Sequence, residues 1–79
     1  MKTVDALGTW CPVPIFLIDR AVATAAPDTE LVLLADDPLI EVDLPAWCHD
    51  TGHELVSLTH DAGGYRGVVR CRSGRVADT

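Results

Sequence analysis

A single cysteine, Cys11, sits in the stretch Gly8-Thr9-Trp10-Cys11-Pro12-Val13-Pro14, just ahead of an apolar run with helical spacing. Proline is tolerated in the first turn of a helix, where its missing N–H would lack an intrahelical partner anyway. The segment therefore reads as a helix start with Cys11 at or beside the N-cap. The partial positive charge of a helix N-terminus favours thiolate over thiol, so an acidified, accessible sulfur is expected there. The bland alternative is a small buried hydrophobe, the usual role of a free cysteine. Gly8 and Thr9 are poor core residues, and a loop-to-helix junction is less buried than a helix centre.

The residue types nearby limit what that sulfur could do. A hydrolytic cysteine needs a base within hydrogen-bond reach and an oxyanion hole. His49, His53 and His60 stand in no recognisable relation to Cys11. Dithiol redox chemistry wants a second cysteine two or three residues on, and Pro12, Val13 and Pro14 follow instead. A lone thiolate can still undergo thiol exchange or hold a sulfane sulfur as a persulfide.

The elements that must position Cys11 follow from hydrophobic spacing. Thr3 to Leu7 reads as a first strand, flanked by Gly8. From Pro12 to Ala26, Ile15, Ile18, Val22 and Ala25 recur at three- and four-residue steps, widened by Leu17 and Ala21, with Asp19 and Arg20 to the side. Glu30 to Ala35 is apolar on both faces, as an interior strand would be. After Asp36-Asp37-Pro38, a second helix is expected with Asp43 as N-cap and Pro45 in its first turn, ending at Gly52. Glu54 to His60 and Tyr65 to Arg72 form a hairpin around Asp61-Ala62-Gly63-Gly64. The order β-α-β-α-β-β implies an α+β, two-layer sandwich, with both helices on one face of a mixed four-stranded sheet. Residues 1–73 are expected to form one domain and 74–79 a frayed tail.

Seventy-nine residues give one small core, and 48% hydrophobic content excludes intrinsic disorder. There is no apolar run long enough to span a bilayer and no signal-peptide pattern, so a cytoplasmic monomer is expected. Three widely spaced cysteines suit a reducing compartment better than a disulfide framework. The net charge of −6 disfavours direct nucleic-acid binding. No Lys or Arg occurs from Pro27 to Asp61, whereas Arg66, Arg70, Arg72 and Arg75 crowd near the C-terminus. Alternation places Arg66, Arg70 and Arg72 on one side of the last strand, a candidate docking face. Trp10 either shields the sulfur, meets a partner or anchors the core. Asp36 and Asp37 fit a turn ahead of Pro38 better than a pair of catalytic acids. Cys48, His49 and His53 do not make a convincing metal set, because Gly52 ends the helix between the histidines; a packed Cys48 and solvent-facing histidines are expected, with no metal.

Taken in order, Asp5-Ala6-Leu7-Gly8, Cys11-Pro12-x-Pro14, Asp36-Asp37-Pro38, Asp43-Leu44-Pro45, Cys48 and Gly52-His53-Glu54-Leu55 resemble the TusA/SirA-type sulfur carriers from about Val4 to Arg70. The chain departs from the pattern at Val13, where Glu is common, and at Asp19, where a basic residue is frequent. The resemblance implies a sandwich like the C-terminal domain of translation initiation factor 3. It implies a persulfide on Cys11, received from a cysteine desulfurase or rhodanese-like donor protein and passed to an acceptor protein, without a cofactor. It also implies supporting roles for Asp5, Gly8, Pro12 and Pro14 in the turn and helix start, Asp5 through hydrogen bonds to the loop. Trp10, Arg20, Arg66 and Arg70 are candidate docking residues. The competing reading is a non-catalytic regulatory or interaction module, or a selenium- or redox-handling thiol protein, of the same fold.

Overall fold

The computed structural model describes residues 2–72. Arg75 and the expected tail at 74–79 lie outside them. Six elements follow in the anticipated order: β1 (Lys2–Asp5), α1 (Val13–Ala23), β2 (Glu30–Ala35), α2 (Ile40–Thr51), β3 (Glu54–Asp61) and β4 (Gly64–Arg70). The sheet order is β1-β2-β4-β3, with β1 parallel to β2 and the other two pairings antiparallel. The fold class is the α+β sandwich read from the sequence.

β2 is an interior strand, and its composition explains why. Leu31, Leu33 and Ala35 point into the core beneath the helices, and Val32 is buried on the other face. Its partner β4 alternates in the same sense: Tyr65 and Val69 join the core, followed by Cys71, while Arg66 and Arg70 face away. α1 contributes Pro14, Ile18, Ala21 and Val22 to the core, close to the predicted stripe. It is shorter than expected at its C-terminus, because the Thr24 and Ala25 amides turn back to the Ala21 and Val22 carbonyls, respectively, and close the helix. β1 likewise stops at Asp5, where the chain bends toward Cys11.

The start of α2 corrects the sequence reading. The helix begins at Ile40, so Asp43 is not its N-cap and Pro45 lies inside it. Asp37 provides the start instead: its carboxylate accepts the Leu39 N–H at 3.0 Å, and its carbonyl accepts the Ile40 N–H at 3.0 Å. Ile40, Leu44 and Cys48 then fall one turn apart on the buried face. That burial outweighs the one hydrogen bond that Pro45 cannot make, since each large apolar side chain contributes about 1.5–3 kcal/mol on burial. Gly52 ends the helix as expected, in the left-handed region at φ 84°, donating to the Cys48 carbonyl at 2.9 Å.

α2 sits close to the sheet because β4 has no side chain at Gly67. A Cβ built there would lie 2.5 Å from Leu44 Cδ2 and 3.6 Å from Leu58 Cδ1. Leu44 is fully buried and cannot swing away. Gly67→Ala is therefore expected to destabilise the fold by about 1–3 kcal/mol, as overpacking does. Urea unfolding followed by circular dichroism reads this as a lower midpoint at unchanged slope.

Candidate functional site

Cys11 sits where the β1–α1 loop meets the start of α1, and its side chain is half-buried. Pro12 is the helix N-cap and Pro14 occupies the second helical position, so Cys11 lies one residue outside the cap, as expected. The Cys11–Pro12 peptide is cis. Gly8 provides the bend before it, in the left-handed region at φ 79°, a conformation that L side chains adopt only with strain.

Four backbone amides of the loops at this end of the sheet are held by carboxylates. Asp5 Oδ1 accepts the Leu7 N–H at 3.0 Å, closing the turn that leaves β1. Asp36 Oδ2 accepts the Gly8 N–H at 3.0 Å, from a residue 28 positions further along the chain. Asp37 Oδ2 accepts the Cys11 N–H at 2.9 Å while its other oxygen caps Leu39. These bonds from the Leu39 and Cys11 amides hold the Asp37 carboxyl below the usual carboxylate range. The Asp-Asp pair thus does more than make its own turn: it fastens the β2–α2 loop to the cysteine loop. As pH falls through the lowered native pKa of Asp37, this fastening is lost, and amide-exchange protection at Cys11 and Leu39, relative to the intrinsic rate at each pH, is expected to fall there.

The sulfur is not acidified by the helix end. Its pKa is raised to about 11, first by burial, then by a hydrogen bond from the thiol to the Asp43 carboxylate, then by the negative charges of Asp43 and Asp37. That direction is opposite to the acidified sulfur expected from a helix start, and the sequence offers a reason. Pro12 and Pro14 remove two N–H groups from the helix start, and the Val13 amide donates to the Trp10 carbonyl at 2.8 Å. Little of the helix-end charge is left to face the sulfur. Because α2 starts three residues early, Asp43 is freed from capping and stands against the thiol.

The two segments that meet at Cys11 carry exposed apolar side chains. Trp10 is 77% exposed, which settles its place outside the core. Val13 and Phe16, one turn apart on α1, and Leu39 and Val42, at the start of α2, are also exposed. Beside the loop is an open concavity of about 300 Å³ lined by Thr9, Trp10, Asp36 and Asp37.

Other expectations are placed as follows. Arg70 and Arg72 do not form a free basic surface. Arg70 pairs with Glu30 at 3.0 Å and Glu54 at 3.3 Å, and Arg72 pairs with Glu54 at 3.1 Å. Arg66 is exposed on the helix-free face, and Arg20 is exposed in the last turn of α1. The structure therefore does not bring Arg20, Arg66 or Arg70 together with Trp10. Cys48 is packed as expected, but His53 is buried rather than solvent-facing. Its Nδ1 accepts the Arg72 N–H at 3.1 Å, and its ring lies 5.2 Å from that of Trp47, which donates to Asp19. Among the described residues, no group of three or more His, Cys, Asp and Glu is arranged to hold a metal ion, and no helix is long and apolar enough to cross a membrane.

The fold and site define a small two-layer α+β domain that presents one half-exposed cysteine on a loop pinned by carboxylates. A profile of the sulfurtransferase TusA family matches residues 2–71, and the chain belongs to that family. Among solved structures, the SirA-like protein of Desulfitobacterium hafniense has the same fold, with a TM-score of 0.74 at 24% identity over 89% of this chain and 95% of that one.

If Asp43 holds the proton on Cys11, Asp43→Asn must lower the thiol pKa. In the unaltered chain, alkylation by iodoacetamide is expected to climb about tenfold per pH unit through pH 8–10, levelling only near 11. The variant is expected to level at a lower pH and to react several-fold faster at pH 8. Identical profiles would remove Asp43 from the sulfur's surroundings.

Proposed function

We propose that this protein is a sulfur carrier that accepts sulfane sulfur on Cys11 and relays it from a donor protein to an acceptor protein. The observation that carries the reading is the combination of a half-exposed lone thiol with exposed apolar side chains on the two segments that meet there, in a member of the sulfurtransferase TusA family. An enclosed enzyme pocket would bury its substrate. Here the sulfur stands at an open surface suited to a protein partner.

The chemistry is a displacement between sulfurs. The Cys11 thiolate attacks the outer sulfur of a donor persulfide, R–S–SH. A new S–S bond forms to give Cys11–S–SH, the donor's S–S bond breaks, and R–S⁻ departs with the electron pair. An acceptor thiolate then attacks the outer sulfur of Cys11–S–SH and regenerates the Cys11 thiolate. Charge and oxidation level balance in each step, so no cofactor enters. Asp5, Gly8, Pro12 and Pro14 keep the loop in the conformation that displays the sulfur. The two remaining cysteines are buried and take no part. A reducing compartment such as the cytoplasm suits three free thiols.

The raised thiol pKa favours a second reading, a non-catalytic interaction module in which Cys11 packs the turn. Intact-mass spectrometry separates the two. After incubation with a cysteine desulfurase and cysteine, the carrier gains ~32 Da per sulfur, reversible with a reductant. Cys11→Ser is expected to show no gain. Equal gain in both proteins, or none in either with every donor class, would sink the carrier reading.

A further inference from the structure

We propose that the surface around Cys11 docks a protein whose contact face is cationic and apolar, with lysine or arginine side chains set among hydrophobic ones. The inference rests on the carrier reading for its biological use, but its evidence is separate. The fold separates the carboxylates around the sulfur from the cations of this molecule, by end of the sheet or by face. The strand register puts Glu30 opposite Arg70 at one end of the sheet and Ala35 opposite Tyr65 at the other. Cys11 is at the second end, since the loop after β1 and the loop after β2 leave the sheet together.

At that end lie Asp36, Asp37, Glu41 and Asp43, all within the β2–α2 loop and the first turns of α2. The described cations are elsewhere. Lys2 and Arg70 are at the opposite end, with Arg72 just beyond, and Arg20 is in the last turn of α1; Arg66, opposite Leu34, is at the Cys11 end of the sheet but on its helix-free face. No cation in the described residues neutralises the carboxylates beside the sulfur.

Two further observations give the partner its chemistry. First, Trp10, Val13, Phe16, Leu39 and Val42 are exposed large apolar side chains on the two segments that flank Cys11. Such clustering at one site marks a contact surface, not a solvated one. Second, the concavity beside the loop is walled by an indole and two carboxylates, Trp10, Asp36 and Asp37. Each carboxylate keeps acceptor capacity after its amide bonds. A guanidinium or ammonium entering there would meet two negative charges and an aromatic face, the combination that cation recognition uses. An acidic partner or a nucleic acid would be repelled. Docking a cation here would also offset the carboxylates that keep the thiol protonated.

The test uses the full chain and two fluorescent peptides without any sulfur chemistry. One alternates lysine with leucine; the other is identical but carries glutamate for lysine. Fluorescence anisotropy is expected to show the lysine peptide binding at least about tenfold more tightly, with that advantage mostly lost near 1 M salt. Glu41→Lys and Val42→Ser, both at exposed positions, are each expected to weaken it several-fold. Equal binding of the two peptides, preference for the glutamate peptide, or salt-insensitive binding would overturn the proposal. A small neutral alkyl persulfide, which needs no docking, reports separately on the carrier reading. If it loads Cys11 while the peptides do not discriminate, only the docking inference fails. If the lysine peptide binds selectively but no donor loads Cys11, the surface stands and the carrier reading falls.

Discussion

The two bonds from Gly8 and Cys11 to the Asp36 and Asp37 carboxylates hold the functional end of this protein together. The β1–α1 loop has few buried side chains of its own: Ala6 is in the core, but Leu7, Gly8, Trp10 and Pro12 are exposed. A loop with so little apolar burial would ordinarily be mobile. Carboxylates reaching across from the neighbouring parallel strand replace that burial with charge-assisted hydrogen bonds to its amides. The parallel pairing of β1 and β2 is what makes the reach short, because it delivers both loops to the same end of the sheet.

One of these carboxylates, Asp37, also imposes an electrostatic cost on the sulfur. Asp37 anchors the Cys11 amide, and Asp43 and Asp37 both contribute negative charge beside its thiol. A site arranged to stabilise a resting thiolate would place amides or cations there. This one places anions, which favour the protonated thiol. Protection is useful to a carrier in a thiol-rich compartment, where an exposed thiolate would be oxidised or capped by the wrong partner. Asp37 therefore takes part both in holding the loop and in disfavouring the thiolate.

Much of this was legible in the sequence, and the failures have physical causes. Strand β2 declared itself through an apolar run between acids, and α1 through the spacing of Ile15, Ile18 and Val22. Gly52 announced the end of α2 because few other residues accept a positive φ. The start of α2 was misread because local rules favour Asp43-Leu44-Pro45 as a cap, whereas the buried row Ile40, Leu44 and Cys48 demands an earlier start. His53 follows Gly52 and looked solvent-facing, yet it is turned inward against Trp47 and the Arg72 amide. The roles of Asp36 and Asp37 depend on contacts to residues 28 and 26 positions away, which no local pattern specifies.

The misread start of α2 also changes the reading of the site. Had Asp43 capped the helix, its carboxylate would have been spent on backbone amides one turn ahead, and Cys11 would have faced a helix end depleted of anions. Starting at Ile40 instead places residue 43 within the first turn and points its carboxylate at the thiol. A three-residue shift, accompanied by the burial of Ile40, Leu44 and Cys48, thereby sets a carboxylate beside a sulfur in a different loop. Core packing and reactivity are linked here through the register of one helix, and the acidity of Cys11 cannot be inferred from its own neighbours in the chain.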